Sequence, residues 1–387
     1  MELLTSTADL GDFCAHAANF DFVTVDTEFL RETTYWPKLC LLQAATTERA
    51  VLIDPLAPGL DLSPFFTLLA NDKVTKVFHA ARQDIEIFVK LTGKVPLNIF
   101  DTQVAASVCG FGDSVSYDNL VRAVVGVELD KSSRFTDWSA RPLSEKQRLY
   151  ALADVTHLRD IYLKLREQLD KTKRWSWVEG ELETLESIDT YVVQPEAAWQ
   201  RLKVKINRPR DMAALKVLAA WRERRAQGSD QPRSRIMKDD ALGELVLQRP
   251  QSAEDFDKLR VVPRGFGRSA AGAEIMALLK EVEALPKAEL PSLPERYRGP
   301  SPKGAVGDLL RVLLKAVAEA NGVASRIIAT SDDIDAIVLD DEADVLALKG
   351  WRRKLFGEKA LALKHGRIGL GASRKGIIEF DILDDDE

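Results

Sequence analysis

The sequence predicts a mixed α/β domain over residues 1–195, followed by two all-α modules at 207–286 and 305–380. Three observations predict it. The first 195 residues begin with a meander of apolar, β-branched runs and then interleave short strands with helix-like runs, the pattern of a mixed sheet flanked by helices. From about residue 196 the strand signals fade and amphipathic helical spacing takes over. Five prolines and two late glycines between Glu283 and Gly304 then interrupt that helical texture, so residues 287–304 read as a linker.

The elements follow in order. F-D-F-V-T-V-D is a strand of alternating β-branched and aromatic residues that acids are expected to end. K-L-C-L-L-Q-A-A and A-V-L-I-D-P are two further apolar strands, and L-S-P-F-F-T-L-L-A is a helix. V-T-K-V-F-H is a short buried strand, and Q-D-I-E-I-F-V-K-L has helical spacing. I-F-D-T-Q-V-A-A-S-V passes from a strand end into a helix, and the run from Leu143 to Leu165 is a long amphipathic helix. In the second half D-M-A-A-L-K-V-L-A-A-W-R-E-R-R-A is amphipathic. The two helical blocks share a motif: S-R-I-M-K-D-D-A-L-G-E-L at Ser234 matches S-R-I-I-A-T-S-D-D-I-D-A-I at Ser325 with a one-residue gap, each after an amphipathic helix. One small module used twice is the reading.

At 387 residues, 45% hydrophobic and 29% charged, the chain is a globular protein of more than one domain, each large enough to bury a core. Its three cysteines lack CxxC spacing, which argues against a disulfide framework or a zinc site and suits a reducing compartment. No basic leader precedes an apolar run, and no stretch approaches a membrane span, so the cytoplasm is the expected location and no membrane partner is expected. A monomer is the default expectation. Residues 1–200 carry 20 basic against 30 acidic residues, whereas 201–387 carry 34 against 30, five of the acids lying in the tail from Asp381. An acidic first half suits cations, and a basic second half suits a polyanion.

The acids of the first half form short clusters. Asp26 and Glu28 are two apart on a predicted strand, so both carboxylates project from one face. Two such charges repel unless a cation lies between them, although D-x-E by itself also fits a strand ending in a polar turn. Asp84 lies near the start of a helix, where an acid also complements the macrodipole. Tyr150 and Asp154 stack at i and i+4 on the long helix. Together these supply hard oxygen ligands of the kind Mg²⁺ or Mn²⁺ prefers. A pair of such ions clamps the attacking and leaving oxygens of an in-line displacement at phosphorus, and a tyrosine hydroxyl can orient the attacking water.

D-T-E-F, H-A-x-x-x-D and Y-x-x-x-D, in that order, resemble the motifs of DEDD-family 3′→5′ exonucleases of the tyrosine subclass. D-T-E-F-L-R-E-T-T-Y-W-P-K-L-C-L-L-Q, F-D-T-Q-V-A-A and T-D-W-S-A-R-P-L-S-E-K-Q-R-L-Y-A-L-A-D-V narrow the resemblance to the bacterial ribonuclease D family, and the helical blocks resemble the HRDC domain that this family carries twice. The resemblance implies a ribonuclease H-like sheet at 1–195 and two HRDC-like modules, while the composition makes 381–387 an acidic tail. It implies that Asp26, Glu28 and Asp154 hold one divalent ion, that Asp84 supports a second, and that Tyr150 positions the nucleophile. Phe29 and Leu30, just past the metal-binding strand, would pack on the terminal base, and His79 would sit near the scissile end; these three could equally be core residues. The match to the HRDC pattern is loose near the end of the second module.

The implied activity is trimming of RNA 3′ ends, chiefly of tRNA precursors, with release of nucleoside 5′-monophosphates. A 3′→5′ DNA exonuclease could use the same acids, because no 2′-OH contact can be placed from sequence; a nucleic-acid binder with a decayed site is the third reading, against which all five catalytic positions stand intact. Arg222, Arg224 and Arg225, then Arg264 and Arg268 in P-R-G-F-G-R, then Arg352, Arg353 and Lys354 form three basic clusters. They fit either phosphate contact or solvated helix faces. Of these, Arg222, Arg225, Arg264 and Arg268 are the candidate substrate-binding residues.

Overall fold

The computed structural model describes residues 2–293, 304–374 and 376–382. Six strands form one sheet: β1 (Glu2–Leu4), β2 (Phe22–Leu30), β3 (Lys38–Ala45), β4 (Ala50–Ile53), β5 (Thr75–Phe78) and β6 (Ile99–Asp101), in the order β1-β4-β3-β2-β5-β6. β2, β3 and β4 are the antiparallel meander that their apolar runs predict, while β1, β5 and β6 join in parallel. The parallel crossovers need helices, and α1 (Thr7–Ala17), α2 (Ser63–Leu69) and α3 (Arg82–Thr92) supply them.

β2 lies inside the sheet, between β3 and β5, and its alternation distributes its residues to two faces. Val23 and Val25 enter a core with Leu10 and Phe13 of α1, Phe65 of α2 and Phe88 of α3. Phe22 enters the opposite core, with residues of α4 (Thr102–Val108), α5 (Tyr117–Val124), α6 (Glu145–Thr172) and α7 (Trp175–Glu186). Thr24, on that same face, donates to the carbonyl of Val155 on α6 at 2.8 Å and so ties the strand to the long helix. The strand does not end at its acids. It continues through Leu30 because residues 26–30 stay paired with β3, with a register shift between Glu28 and Phe29. Phe29 and Leu30 are therefore its last residues rather than residues beyond it.

Helix α6 starts where the chain supplies a capping box: the Ser144 hydroxyl accepts from the Gln147 amide at 3.2 Å, and the Gln147 side chain accepts from the Ser144 amide at 3.0 Å. Just before it, Arg141 makes a bidentate pair with buried Asp54 at 2.7 Å for each bond and donates to the Cys40 carbonyl at 2.6 Å. The start of α6 is thereby bolted to β3 and to the residue following β4.

The second half is helical as its spacing predicts. The first module holds α8 (Pro209–Ser229), α9 (Arg233–Ile236), α10 (Asp239–Gln248), α11 (Ala253–Phe256) and α12 (Ala270–Ala284) around Leu215, Leu218, Leu242, Phe256 and Ile275. The other holds α13 (Ala305–Asn321), α14 (Ser325–Ile328), α15 (Ser331–Leu339), α16 (Gly350–Arg352) and α17 (Glu358–Lys364) around Leu310, Leu313, Ile334 and Phe356. Both run long helix, one-turn helix, medium helix and, after a 3-10 turn, a closing helix; the first adds the one-turn α11 before that turn and the second the short α16 after it. In each, the shared S-R-I motif falls at the one-turn helix and the acids after it at the start of the next helix.

The expectation of helix up to residue 380 needs correction. Helix stops at Lys364, and β7 (Ile368–Ser373) pairs antiparallel with β8 (Gly376–Asp381). The run I-G-L-G-A-S-R-K-G-I-I-E-F alternates at period two across a glycine turn, so a hairpin satisfies its backbone better than a helix would. Residues 294–303 of the linker and 383–387 of the tail lie outside the described residues.

Both modules pack on the α/β domain. Tyr35, buried, donates its hydroxyl to Glu223 of α8, and Arg233 brackets the same carboxylate at 2.6 and 2.5 Å. The Asp230 carboxylate accepts from the Tyr35 and Trp36 amides at 3.1 and 2.9 Å. On the other module, Trp351 stacks on Trp177 of α7 with centroids 4.0 Å apart and planes at 6°. Gly110, at φ 88°, comes so close to the Gly322 carbonyl that a Cβ would lie 2.6 Å from that oxygen, so only glycine fits this contact.

Candidate active site

Asp26 and Glu28 lie in β2, against which α6 packs. Asp154 faces them from α6, and one ligand oxygen from each of the three carboxylates lies within 4.8 Å of the others. Among the described residues this is the one cluster of acids, histidines or cysteines able to share a cation. Asp84, in the first turn of α3, is buried and accepts a short hydrogen bond from the Thr27 hydroxyl. Its side chain is therefore turned toward β2, while it also accepts from its own amide in the first turn of α3. Tyr150, one turn before Asp154, stands with its phenol against the Asp154 carboxylate. All five expected positions are brought together.

The electrostatics of the group follow from crowding. Burial pushes Asp26 up to about 7. Burial, with the charges of Asp26, Asp154 and Asp84 added, pushes Glu28 up to about 10. Asp84 and Asp154 are raised well above the carboxylate range, first by burial and next by the charge of Asp26. Like charges at such separations in a partly dry cleft resist joint ionisation unless a cation joins them. The phenol of Tyr150 is likewise raised above its ordinary value, by burial and by Asp154, Glu28 and Asp26, so it stays a proton donor. The donor set suits a divalent cation: hard carboxylate oxygens and neither nitrogen nor sulfur within the cluster. Asp26, Glu28 and Asp154 would hold one ion, with Asp84 beside them.

Several supporting residues are missing from the sequence reading. Asp101, at the start of α4, accepts from the amides of Ala80 and Ala81 at 3.1 and 2.8 Å and from Gln103 at 2.7 Å. It caps α4 and at the same time braces the turn that opens α3, where Ala80 takes a left-handed φ of 57°. That brace sets the position of Asp84. Tyr117 donates to the carbonyls of Ala153 and Asp154 at 3.0 and 2.7 Å and so fixes the α6 backbone at its acid. Gln43 sits opposite Asp26 on β3, fully buried, with neither amide atom partnered among the described residues. Arg134 is the cation whose charge Glu28, Tyr150 and Asp154 all feel. D-T-Q could have flagged Asp101 as a helix cap; for Tyr117, Gln43 and Arg134 no spacing rule exists.

Phe29, Leu30 and His79 line the same cleft, all half-buried. The Thr102 hydroxyl donates to the Phe78 carbonyl at 2.9 Å, so it accepts from His79 Nδ1 at 3.0 Å, and burial lowers the imidazole below its ordinary value. His79 is thus a neutral, oriented ring.

The arginines of the helical half are placed differently from expectation. The Arg222 side chain is 6% exposed and its guanidinium is spent on Asp239 and the Met237 carbonyl at 2.6 and 2.9 Å, so phosphate contact by Arg222 is corrected to a tie within the module. Arg225 pairs with Glu274 at 3.0 Å and Arg268 with Asp257 at 3.2 Å, both at the surface. Arg352 is buried against Glu181 and the Ile327 carbonyl. Arg264 is exposed. None of Arg222, Arg225, Arg264 and Arg268 lines the acidic cleft.

A 3′-5′ exonuclease family model matches residues 1–170, and an HRDC domain model matches 211–279. The ribonuclease D of Nitrobacter hamburgensis is 50% identical over 381 residues, covering 98% of this chain and 100% of that one. The chain belongs to the ribonuclease D family. The Bartonella henselae ribonuclease D is 48% identical and covers 95% of this chain and 91% of its own. The crystal structure of Escherichia coli ribonuclease D superposes with a TM-score of 0.81 at 28% identity, over 94% of this chain and 98% of that one. That protein is an exoribonuclease involved in structured RNA processing. As a member of the ribonuclease D family this chain is a 3′→5′ exoribonuclease, and its fold is the ribonuclease D architecture of an exonuclease domain followed by a helical HRDC region.

Proposed function

We propose that this exoribonuclease trims the 3′ ends of structured RNA, chiefly tRNA precursors, and releases nucleoside 5′-monophosphates by a reaction that uses two divalent ions, Mg²⁺ or Mn²⁺. The observation that carries this reading is the convergence of Asp26, Glu28 and Asp154 within 4.8 Å, with Asp84 beside them. When bound, the cations lower the pKa of a water and neutralise the charge that develops on the phosphoryl oxygens. The chain's own residues do the rest. The four carboxylates hold the charge that makes the site fit cations and not the bare phosphate. Tyr150, kept protonated beside Asp154, orients the attacking water through its hydroxyl. Phe29 and Leu30 offer apolar walls to the terminal base, and the neutral His79 can share a hydrogen bond with the terminal nucleotide. Arg225, Arg264 and Arg268 are surface cations over which the body of the RNA could run; their contribution would appear as salt-dependent affinity. The relative from Escherichia coli, described by its role on structured RNA, supports the substrate class.

The test uses the purified chain with a tRNA bearing a labelled 5′ end and an extended 3′ end, with Mg²⁺ and then with EDTA, beside single-stranded DNA of matching sequence. Stepwise shortening of the RNA to the mature end, abolished by EDTA, with nucleoside 5′-monophosphates as product, is the expected result. Equal rates on DNA, or shortening that survives EDTA, overturn the reading.

A further inference from the structure

We propose that Phe135 is a stacking platform for a base upstream of the scissile bond, which makes the cleft favour single-stranded polynucleotides over very short substrates. This deepens the exoribonuclease reading and rests on RNA being the polymer that enters the cleft.

Phe135 is 91% exposed, whereas the next most exposed large apolar side chain among the described residues, Leu346, is 56% exposed. Its surroundings are not those of a loose loop. Ser133 and Trp138, on either side, are buried. The intervening turn is closed by Arg134 N donating to Lys131 O at 3.1 Å and by Thr136 N donating to Ser133 O at 3.2 Å. Gln147, of the capping box that starts α6, donates its side chain to Thr136 Oγ1 at 3.1 Å and to the Asp137 carbonyl at 3.3 Å. The ring is thus presented on a frame attached to the helix that carries Tyr150 and Asp154, and it lines the same cleft as the acids. A loop that buries Ser133 and Trp138 and leaves Phe135 in water gains nothing for folding from that phenylalanine.

The charge around the ring suits a nucleic acid. Arg134 lies over the Phe135 ring, 5.2 Å from its centroid, and is also the cation felt by Glu28 and Asp154. Lys131 lines the cleft too, paired with Asp118. A polyanion approaching four carboxylates needs positive charge at the entrance, and Arg134 supplies it beside an aromatic face. Basic residues with an interleaved aromatic ring are how sequence-tolerant single-strand binding is built, because every base has a face to stack. Phe29 and Leu30 lie deeper, on the strand of the acids, so the ring at the mouth meets a nucleotide further from the 3′ end.

The experiment has a binding arm and a turnover arm. In a D26N background, a single-stranded oligoribonucleotide carrying 2-aminopurine upstream of its 3′ end is titrated with the full chain, with and without Phe135→Ala or Phe135→Trp. Binding should quench the probe; Ala should remove the quench and weaken Kd about 5- to 150-fold, the equivalent of the ~1–3 kcal/mol of one base–aromatic stack, and Trp should restore both. In the active chain Ala should raise KM for the oligoribonucleotide by a similar factor and move kcat less than KM, while a dinucleotide, too short to reach the ring, shows no such rise in KM. Unchanged quench and Kd in Phe135→Ala overturn the platform, as does an equal loss on the dinucleotide. RNA that is bound with a Phe135-dependent quench but never shortened by the wild-type chain would overturn the exoribonuclease reading and leave the platform standing.

Discussion

Asp26 and Glu28 are two residues apart on one strand face, and neither has an arginine or lysine partner among the described ion pairs. Their charge is a cost to the metal-free fold and the reason for the site's affinity. Asp26→Asn should abolish nearly all turnover while raising Tm in EDTA by roughly 2–4 °C, since the acid whose charge raises Glu28, Asp84 and Asp154 is gone. It should also shrink the stabilisation that Mg²⁺ confers. Calorimetry with and without Mg²⁺ checks both; a variant that keeps substantial turnover would disprove the ligand assignment. Tyr150→Phe removes only the hydroxyl and should lower kcat on the order of 10²-fold or more, with the fold and Kd retained. Single-turnover kinetics on an RNA 3′ end decides it. Spacing made these residues visible. Thr27, which holds Asp84, was invisible because its role depends on a helix 57 residues away in the chain.

At the scale of the element, β5 carries an unusual burden. Lys76 lies on this strand with no exposed surface, its ammonium donating to the Asn71 and Val74 carbonyls at 2.6 and 2.7 Å. Burial pushes it down to about 8, partly opposed by Asp72. The folded chain then binds fewer protons than the unfolded chain between about pH 8 and the ordinary lysine value. Stability should therefore rise with pH across that window, by on the order of 2–3 kcal/mol from this group. Lys76→Met should remove that rise, as denaturation midpoints at pH 7.5, 9 and 10.5 would show; a parallel rise in both proteins would refute it. The strand itself was legible, because V-T-K-V-F-H is apolar around one lysine. The depth of that lysine was not, since it depends on β2 and β6 flanking β5 in the sheet.

For the whole molecule, the decisive contacts are those that hold the helical modules to the exonuclease domain. Glu223 is buried at one of them, between Tyr35 and Arg233. Burial alone would raise its carboxyl, but the hydrogen bonds from Arg233 and Tyr35 outweigh burial and hold it below the ordinary value. A carboxyl depressed in the folded state contributes stability above its unfolded pKa and loses it as pH falls through the folded one. The junction should thus loosen below about pH 4.5. Glu223→Ala should bring that loosening to neutral pH at a cost of about 3 kcal/mol, because it leaves Arg233 and Tyr35 without their acceptor. Hydrogen exchange at Tyr35 and Trp36, whose amides Asp230 holds, should report it. Protection unchanged in the variant would show that Asp230 and the surrounding packing suffice.

What the sequence determined by itself was local chemistry: a period of two that puts Asp26 and Glu28 on one face, a period of 3.6 that aligns Tyr150 with Asp154, and a proline run that divides helix from helix. Those follow from backbone geometry over a few residues. Only the tertiary structure decided which charges are spent and which are offered. Arg222 and Arg352 stand in basic clusters and prove to be buried ties, whereas Arg134 and Phe135, in an unremarked loop, face the acids. A side chain's partner is set by what other segments bring within a few ångströms of it, and no spacing along the chain carries that information.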